Sequence, residues 1–282
     1  MKIAVLGLGI IGSIWARHLA ADGHEMKCWN RTPRKDFPGV SATAAEAVES
    51  AEAILLVVAD PPAVRTVIDQ IAPALERGQM LIQASTISAE WTLKFAREIR
   101  KTGVLFIEAP FTGSKPAAEQ RKTVFYLGGD PGVAEKAKPV LGPLSSVLFY
   151  VGELGSASTL KLAMNLNIAQ VGQALCESLA MCRAAHIPDD VYFKALSLNA
   201  SRSGLSDFKG PKLKEQDYSP QFSLKHMDKD LRLALETAAA LGLTLEQTAR
   251  LKKLYDLGMA RGWQEEDFIG LIRLLEGRGG RE

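Results

Sequence analysis

Over the first 150 residues, short apolar runs alternate with stretches in which apolar positions recur every three or four residues. The runs fall at residues 2–6, 25–30, 53–58, 80–83, 105–108, 124–128 and 147–151. Several are continuous and rich in Val and Ile, which fits parallel strands covered on both faces better than strands with one wet face. Helix starts are legible between them. Thr43-x-x-Glu46 is a capping box. Asp60-Pro61 and Asp130-Pro131 each place an N-cap acceptor before a proline at the first helical position. Strand and helix in alternation predict a doubly wound, Rossmann-type α/β domain.

The pattern changes near Gly152. From residue 156 to 185 there is no proline, and only Gly172 weakens a helical run. Further helices are predicted around residues 188–198, 206–214, 224–241, 245–258 and 265–275, with no comparable strand signal and a frayed tail over 277–282. The expected organisation is an α/β domain over residues 1–155 and an all-helical domain over 156–282. In the long helix, Leu160, Leu162, Ala163, Leu166, Ile168, Val171, Leu175 and Leu179 fall on more than one side. Such a helix should be covered nearly all round, which predicts a homo-oligomer, dimer or tetramer, built through the helical domain.

Composition narrows the class without altering that picture. A chain of 282 residues, 47% hydrophobic and 23% charged, suits an ordinary globular protein of two domains. Its 34 basic and 32 acidic residues balance to +2, which gives no support to a nucleic-acid or anionic-membrane partner. No apolar run approaches the ~20 residues of a bilayer crossing, and glycines break the N-terminal run that a secretory signal would need. Cys28, Cys176 and Cys182 are odd in number and lack metal-site spacing, so reduced thiols in a cytoplasm are expected. The four histidines also lack ligand spacing, so no metal is expected. His226 and Asp230, one helical turn apart, read as a solvated contact.

Gly7-Leu8-Gly9-Ile10-Ile11-Gly12 follows the first strand and opens a helix. The first glycine permits a tight turn, the second lets backbone approach a pyrophosphate, and the third lets helix pack on strand. The helix N-terminus offers N–H groups and a positive dipole end to the phosphates. The second strand ends in Asn30-Arg31-Thr32, where an NAD site commonly carries an acidic residue for the ribose 2′-hydroxyl. An arginine beside a hydroxyl suits a 2′-phosphate instead, so NADP (as NADPH) is favoured over NAD.

Three further segments complete the pattern: Glu108-Ala109-Pro110-Phe111-Thr112-Gly113-Ser114; Gly152-x-x-Gly155 followed by Lys161 and Asn165; and the helical stretch from Phe222 to Leu231. Together with the glycine loop they resemble the β-hydroxyacid dehydrogenase (3-hydroxyisobutyrate dehydrogenase-like) family, and within it the glyoxylate and succinic semialdehyde reductase branch. The resemblance runs from Met1 to about Leu275 with the motifs in order. It implies NADPH-dependent reduction of a small aldehyde acid, with Lys161 as the catalytic general acid. Chemically, a lysine can protonate or electrostatically stabilise a developing alkoxide. Lys161 and Asn165 would share a helix face where the helix leaves the nucleotide domain, at an interdomain cleft. The resemblance further implies that Thr112, Gly113, Ser114 and Asn165 contact the substrate carboxylate. Phe222 and Asp230 would lie near the substrate pocket, Ser85-Thr86 beside the nicotinamide, and Lys229 at the cofactor. Ile11 replaces a methionine frequent in the family's glycine loop, and Gln83 an acidic residue before Ser85-Thr86. Pro116 and Gln120-Arg121-Lys122 replace a glycine-rich stretch and are expected to add bulk and charge near the pocket mouth.

Three other readings stay open: 3-hydroxy acid oxidation in the reverse direction, an imine reductase, and a non-catalytic nucleotide-binding scaffold. Lys161 argues against the imine reductase. The retained Lys161, Asn165 and Thr112–Ser114 set argues against the scaffold.

Overall fold

The computed structural model describes residues 1–34 and 37–277; most of the tail expected to fray lies outside the described residues. Its elements run β1 (Lys2–Leu6), α1 (Ile10–Ala21), β2 (Glu25–Trp29), α2 (Ala44–Val48), β3 (Ala53–Leu56), α3 (Pro61–Ile71), β4 (Met80–Gln83), α4 (Ala89–Arg100), β5 (Leu105–Glu108), β6 (Phe111–Thr112), α5 (Lys115–Glu119), β7 (Thr123–Gly128), α6 (Pro131–Leu141) and β8 (Ser145–Gly152). The helical part follows with α7 (Ser156–Ala184), α8 (Asp189–Ser197), α9 (Gly204–Glu215), α10 (Leu224–Ala240), α11 (Glu246–Ala260) and, after a 3₁₀ turn at Phe268–Leu271, α12 (Ile272–Leu275).

The sheet order is β2-β1-β3-β4-β5-β7-β6, with β8 on β7. Pairs from β2 to β5 are parallel, whereas β7 is antiparallel to β5 and β6. Alternation along β1 explains the layers. Ile3 and Val5 enter one apolar cluster with Trp15 and Leu19 of α1, and Ala4 and Leu6 enter the other with Val64 and Ile68 of α3. The helix starts read from sequence are present: Thr43 and Glu46 form the reciprocal capping box, and Asp60 and Asp130 accept from Ala63 N and Val133 N.

The chain divides into two compact units, Met1–Leu162 and residues from Ala163 onward. The division falls inside α7 rather than at Gly155. In the second unit, Ala169, Leu175 and Leu179 of α7 pack with Leu224, Leu231, Leu251 and Tyr255. The helix expected over 265–275 is much shorter. Asp267 caps a 3₁₀ turn by accepting from Ile269 N, and only four residues of α-helix follow. The two-residue β6 also had no counterpart in the sequence reading; it is set by pairing of Phe111 with Phe125 and Thr112 with Val124.

Candidate active site

Because β1, β3, β4 and β5 run in parallel, the loops that follow them emerge at one edge of the sheet. The chain leaves β1 for β2 on one side and returns to β3 on the other, which makes the β1 end a switch point, where such sheets bind ligands. Gly7-Leu8-Gly9-Ile10-Ile11-Gly12 stands there. At Gly7, φ is +110° and a Cβ would lie 2.1 Å from the Val57 carbonyl oxygen. At Gly12 a Cβ would lie 1.9 Å from the Gly7 carbonyl oxygen, so this residue lets α1 seat against the loop. At Gly9 a Cβ would meet nothing within 4 Å. The open side of Gly9, at the N-cap of a helix without an acidic residue in its first turn, leaves room for a pyrophosphate and N–H groups to hold it. The loop fits a dinucleotide.

Asn30 ties the loop to the end of β2. Its Oδ1 accepts from Leu8 N at 2.9 Å, and its Nδ2 donates to Thr32 O at 2.8 Å. Arg34, absent from the sequence reading, donates from Nη1 to Leu8 O at 2.9 Å, and a basic residue close behind Arg31 was the available signal. Arg31 and Thr32 are exposed. Arg31 borders a cleft of about 1050 Å³, which Asn30, Phe37, Ser41 and Thr43 also line.

Beyond β4, Ser85 is buried and Thr86 half-buried. Gln83, noted in the sequence only as a departure, clamps this loop: Oε1 accepts from Ser85 N at 2.5 Å and Nε2 donates to Ser85 O at 3.0 Å. An amide can do both, whereas an ionised carboxylate could only accept. Ser85 Oγ in turn accepts from Val58 N. Thr112, Gly113 and Ser114 are half-buried. Gly113 has φ +124°, and Ser114 is the N-cap of α5 with its hydroxyl outside the cap. Arg121 corrects one expectation. It pairs with Asp22 and donates to Pro143 O, so its charge is bound at the end of α1 rather than lent to a pocket mouth.

Lys161, in the first unit's portion of α7, is 7% exposed. Upstream of it, the buried Glu108 carboxylate accepts from Gly155 N, Ala157 N and Ser158 N and from the Ser158 hydroxyl. Burial pushes the Glu108 carboxyl up, while those donors pull it back.

In the second unit, Asn165 Nδ2 donates to Asp230 Oδ2 at 2.6 Å, and Lys229 Nζ stands 2.9 Å from Asp230 Oδ1. That second contact is an ion pair by distance, although it misses hydrogen-bond alignment. Asp230 is 2% exposed, so the solvated contact expected with His226 gives way to a buried cluster. Phe222 is half-buried, its ring 6.2 Å from that of His226 and 6.4 Å from that of Phe268. Burial, then Lys229 and Lys225, holds the His226 imidazole below its ordinary value. Among the described residues no three His, Cys, Asp or Glu side chains could hold a metal, and no helix is long and apolar enough to cross a membrane.

A glycine loop shaped for a dinucleotide at the switch point of a parallel sheet, ahead of a helical unit, defines a nicotinamide-dependent oxidoreductase architecture. Residues 2–152 match the family model described as the NAD binding domain of 6-phosphogluconate dehydrogenase. Residues 155–275 match the model for the NAD-binding region of NADP-dependent 3-hydroxyisobutyrate dehydrogenase. Glyoxylate/succinic semialdehyde reductase 1 of Arabidopsis thaliana is 30% identical, with 98% of this chain and 99% of that protein covered. The 2-hydroxy-3-oxopropionate reductase of Escherichia coli (strain K12) is also 30% identical, covering 98% and 97%. The solved 3-hydroxyisobutyrate dehydrogenase of Mycobacterium tuberculosis with L-serine shares the fold, with a TM-score of 0.88 at 24% identity over 97% of this chain and 98% of that one. The chain belongs to the β-hydroxyacid dehydrogenase family, as an NAD(P)-dependent hydroxyacid oxidoreductase.

Proposed function

We propose that the protein is a cytoplasmic NADPH-dependent reductase of small aldehyde acids, of the glyoxylate or succinic semialdehyde type, with Lys161 as general acid. The observation that carries this reading is Lys161 itself: a lysine only 7% exposed on a helix that leaves a dinucleotide-binding unit. Solvating a surface does not require a lysine held that far from water, whereas protonating an alkoxide does require a donor in a dry place. The nicotinamide, when bound, supplies hydride to the carbonyl carbon. Lys161 gives the proton that the carbonyl oxygen then needs, while Thr112, Gly113 and Ser114 hold the carboxylate. Gly7 to Gly12 would seat the pyrophosphate, Asn30 keeps that loop in register, and Thr86 is assigned to the nicotinamide on the family resemblance. From the second unit, Asn165, Phe222 and Asp230 are assigned to substrate and Lys229 to cofactor, on the family resemblance.

Arg31 supports NADPH over NADH, because the end of β2 carries a guanidinium where a carboxylate would favour a free 2′-hydroxyl. Free Cys28, Cys176 and Cys182 accord with a reducing compartment. The names of the relatives accord with the substrate class. The half-buried Leu160, Ala163, Leu166, Ile168 and Val171 along α7 support assembly into a homo-oligomer. The test is turnover of NADPH on a panel of small aldehyde and keto acids by wild type and Lys161→Ala. The substitution should lower kcat by about 10²-fold or more and leave NADPH binding intact. Near-normal kcat in Lys161→Ala rejects the reading.

A further inference from the structure

Glu108 is the last residue of β5 and has no exposed surface, yet it stands outside the chemistry derived so far. Its Oε1 accepts from Gly155 N at 2.6 Å and Ala157 N at 3.1 Å; its Oε2 accepts from Ser158 N at 3.1 Å and from the Ser158 hydroxyl. The first N–H groups of a helix lack partners within it. Here a carboxylate from a strand 49 and 50 residues earlier captures those of Ala157 and Ser158 in the first turn of α7. Its negative charge also faces the positive end of the helix. The seat is built for it, because a Cβ on Gly128 would lie 2.2 Å from Glu108 Oε1. The same turn is braced on α4: the Ser158 and Thr92 hydroxyls are 2.8 Å apart, and a Cβ on Gly155 would come within 3.2 Å of Ala89 Cβ.

Lys161 lies three residues beyond Ser158 and four beyond Ala157, so it projects from the same helix face one turn on. Side chains in a helix tilt toward its N-terminus, so the position of Lys161 favours a side chain directed toward the pinned turn. Rotating or sliding α7 would therefore carry the ammonium with it, and misplacement by about 1 Å can cost about 10²-fold in rate.

We propose that Glu108 is a positioning residue for the reduction: by fastening the first turn of α7 to β5, it fixes where Lys161 presents its proton. This rests on the reading of Lys161 given above. Glu108→Gln keeps the size and one acceptor oxygen. Its Nε2 can still donate to the Ser158 hydroxyl but now faces the Ser158 N–H, so one bond of the clamp is lost.

The experiment is a cycle of four full-length proteins, namely wild type, Glu108→Gln, Lys161→Ala and the double variant. Each is assayed for kcat with saturating NADPH and glyoxylate or succinic semialdehyde, whichever wild type reduces faster, and for NADPH Kd. The expected result is a loss of about tenfold or more for Glu108→Gln with NADPH Kd within about twofold, and a loss within about twofold when Lys161 is already alanine. An equal fold loss in both backgrounds, or wild-type kcat in Glu108→Gln, overturns the proposal. Near-normal kcat in Lys161→Ala overturns the reading of the lysine instead. Should Glu108→Gln fail to fold, Ser158→Ala removes the hydroxyl while leaving the three backbone bonds. Run through the same cycle, it should cost about threefold with Lys161 present and nothing without it; any other pattern counts against Glu108.

Discussion

Alanine at Gly9 and at Gly12 should separate cofactor binding from folding, although the two glycines are three residues apart in one loop. At Gly9 the backbone is extended (φ −69°, ψ −166°), where alanine fits, and its Cβ would meet nothing within 4 Å. Stability should therefore stay within about 1 kcal/mol of wild type, a small N-cap loss being offset by a stiffer unfolded chain. The methyl group would instead stand where the pyrophosphate must approach. Losing one charge-assisted backbone hydrogen bond there costs about 1.5–3 kcal/mol, or roughly 10- to 150-fold in NADPH Kd. At Gly12 the Cβ would lie 1.9 Å from the Gly7 carbonyl oxygen and 2.9 Å from Val57 Cγ1. Relieving that overlap needs a backbone shift of about an ångström or more, so Gly12→Ala should lose about 1–3 kcal/mol of stability as well as cofactor. Urea unfolding gives stability and quenching of protein fluorescence gives NADPH Kd. Gly9→Ala with wild-type Kd, or Gly12→Ala with wild-type stability, refutes the division of labour.

Replacing Arg31 with glutamine should weaken NADPH by about 1–3 kcal/mol and leave NADH nearly unchanged, as read by KM for each cofactor; equal losses would mean that Arg31 does not read the phosphate. Lys209→Met should destabilise the second unit by about 3–5 kcal/mol in urea, because Lys209 (2% exposed) faces Asp267 (0%) at 2.7 Å and its loss leaves a buried carboxylate without its cation. Arg183 holds the Asp189 carboxyl below its ordinary 3.8. Since the folded pKa is the lower one, the pair's contribution is present above the unfolded value and fades as pH falls below about 4 through the folded pKa. The stability gap between wild type and Asp189→Asn, followed by urea unfolding, should close over that window. Light scattering at micromolar concentration should give a multiple of the chain mass, and a mass of 30.5 kDa would reject the proposed oligomer.

Elements whose signals are local were legible in the sequence. Lys2–Leu6 with its glycine loop, the Thr43–Glu46 box and the Asp-Pro caps each place cause and effect within a few residues. The long helix was legible too, since nothing over residues 156–185 breaks it. What was hidden depends on distant partners. Asp267 looked like an interior residue of a helix because nothing nearby shows that its carboxylate accepts from Gln221 N and Phe222 N and pairs with Lys209. Those bonds, with its cap to Ile269 N, turn the segment into a 3₁₀ start. Gln83 stood out as a departure, but its clamp on Ser85 is visible only once the loop is folded. The charge at Arg121 read as free because Asp22 lies 99 residues away.

The Glu108 clamp also has a bearing on synthesis. Its donors lie at Gly155, Ala157 and Ser158, so β5 leaves the ribosome with a carboxylate whose folded partners do not yet exist. At roughly 5–20 residues per second, the 50 residues from Glu108 to Ser158 take about 2.5–10 s to make. Burying the carboxylate before those donors exist would cost its hydration without replacing it. The end of β5 therefore gains its full set of hydrogen-bond donors only when α7, the helix that carries Lys161, has been made.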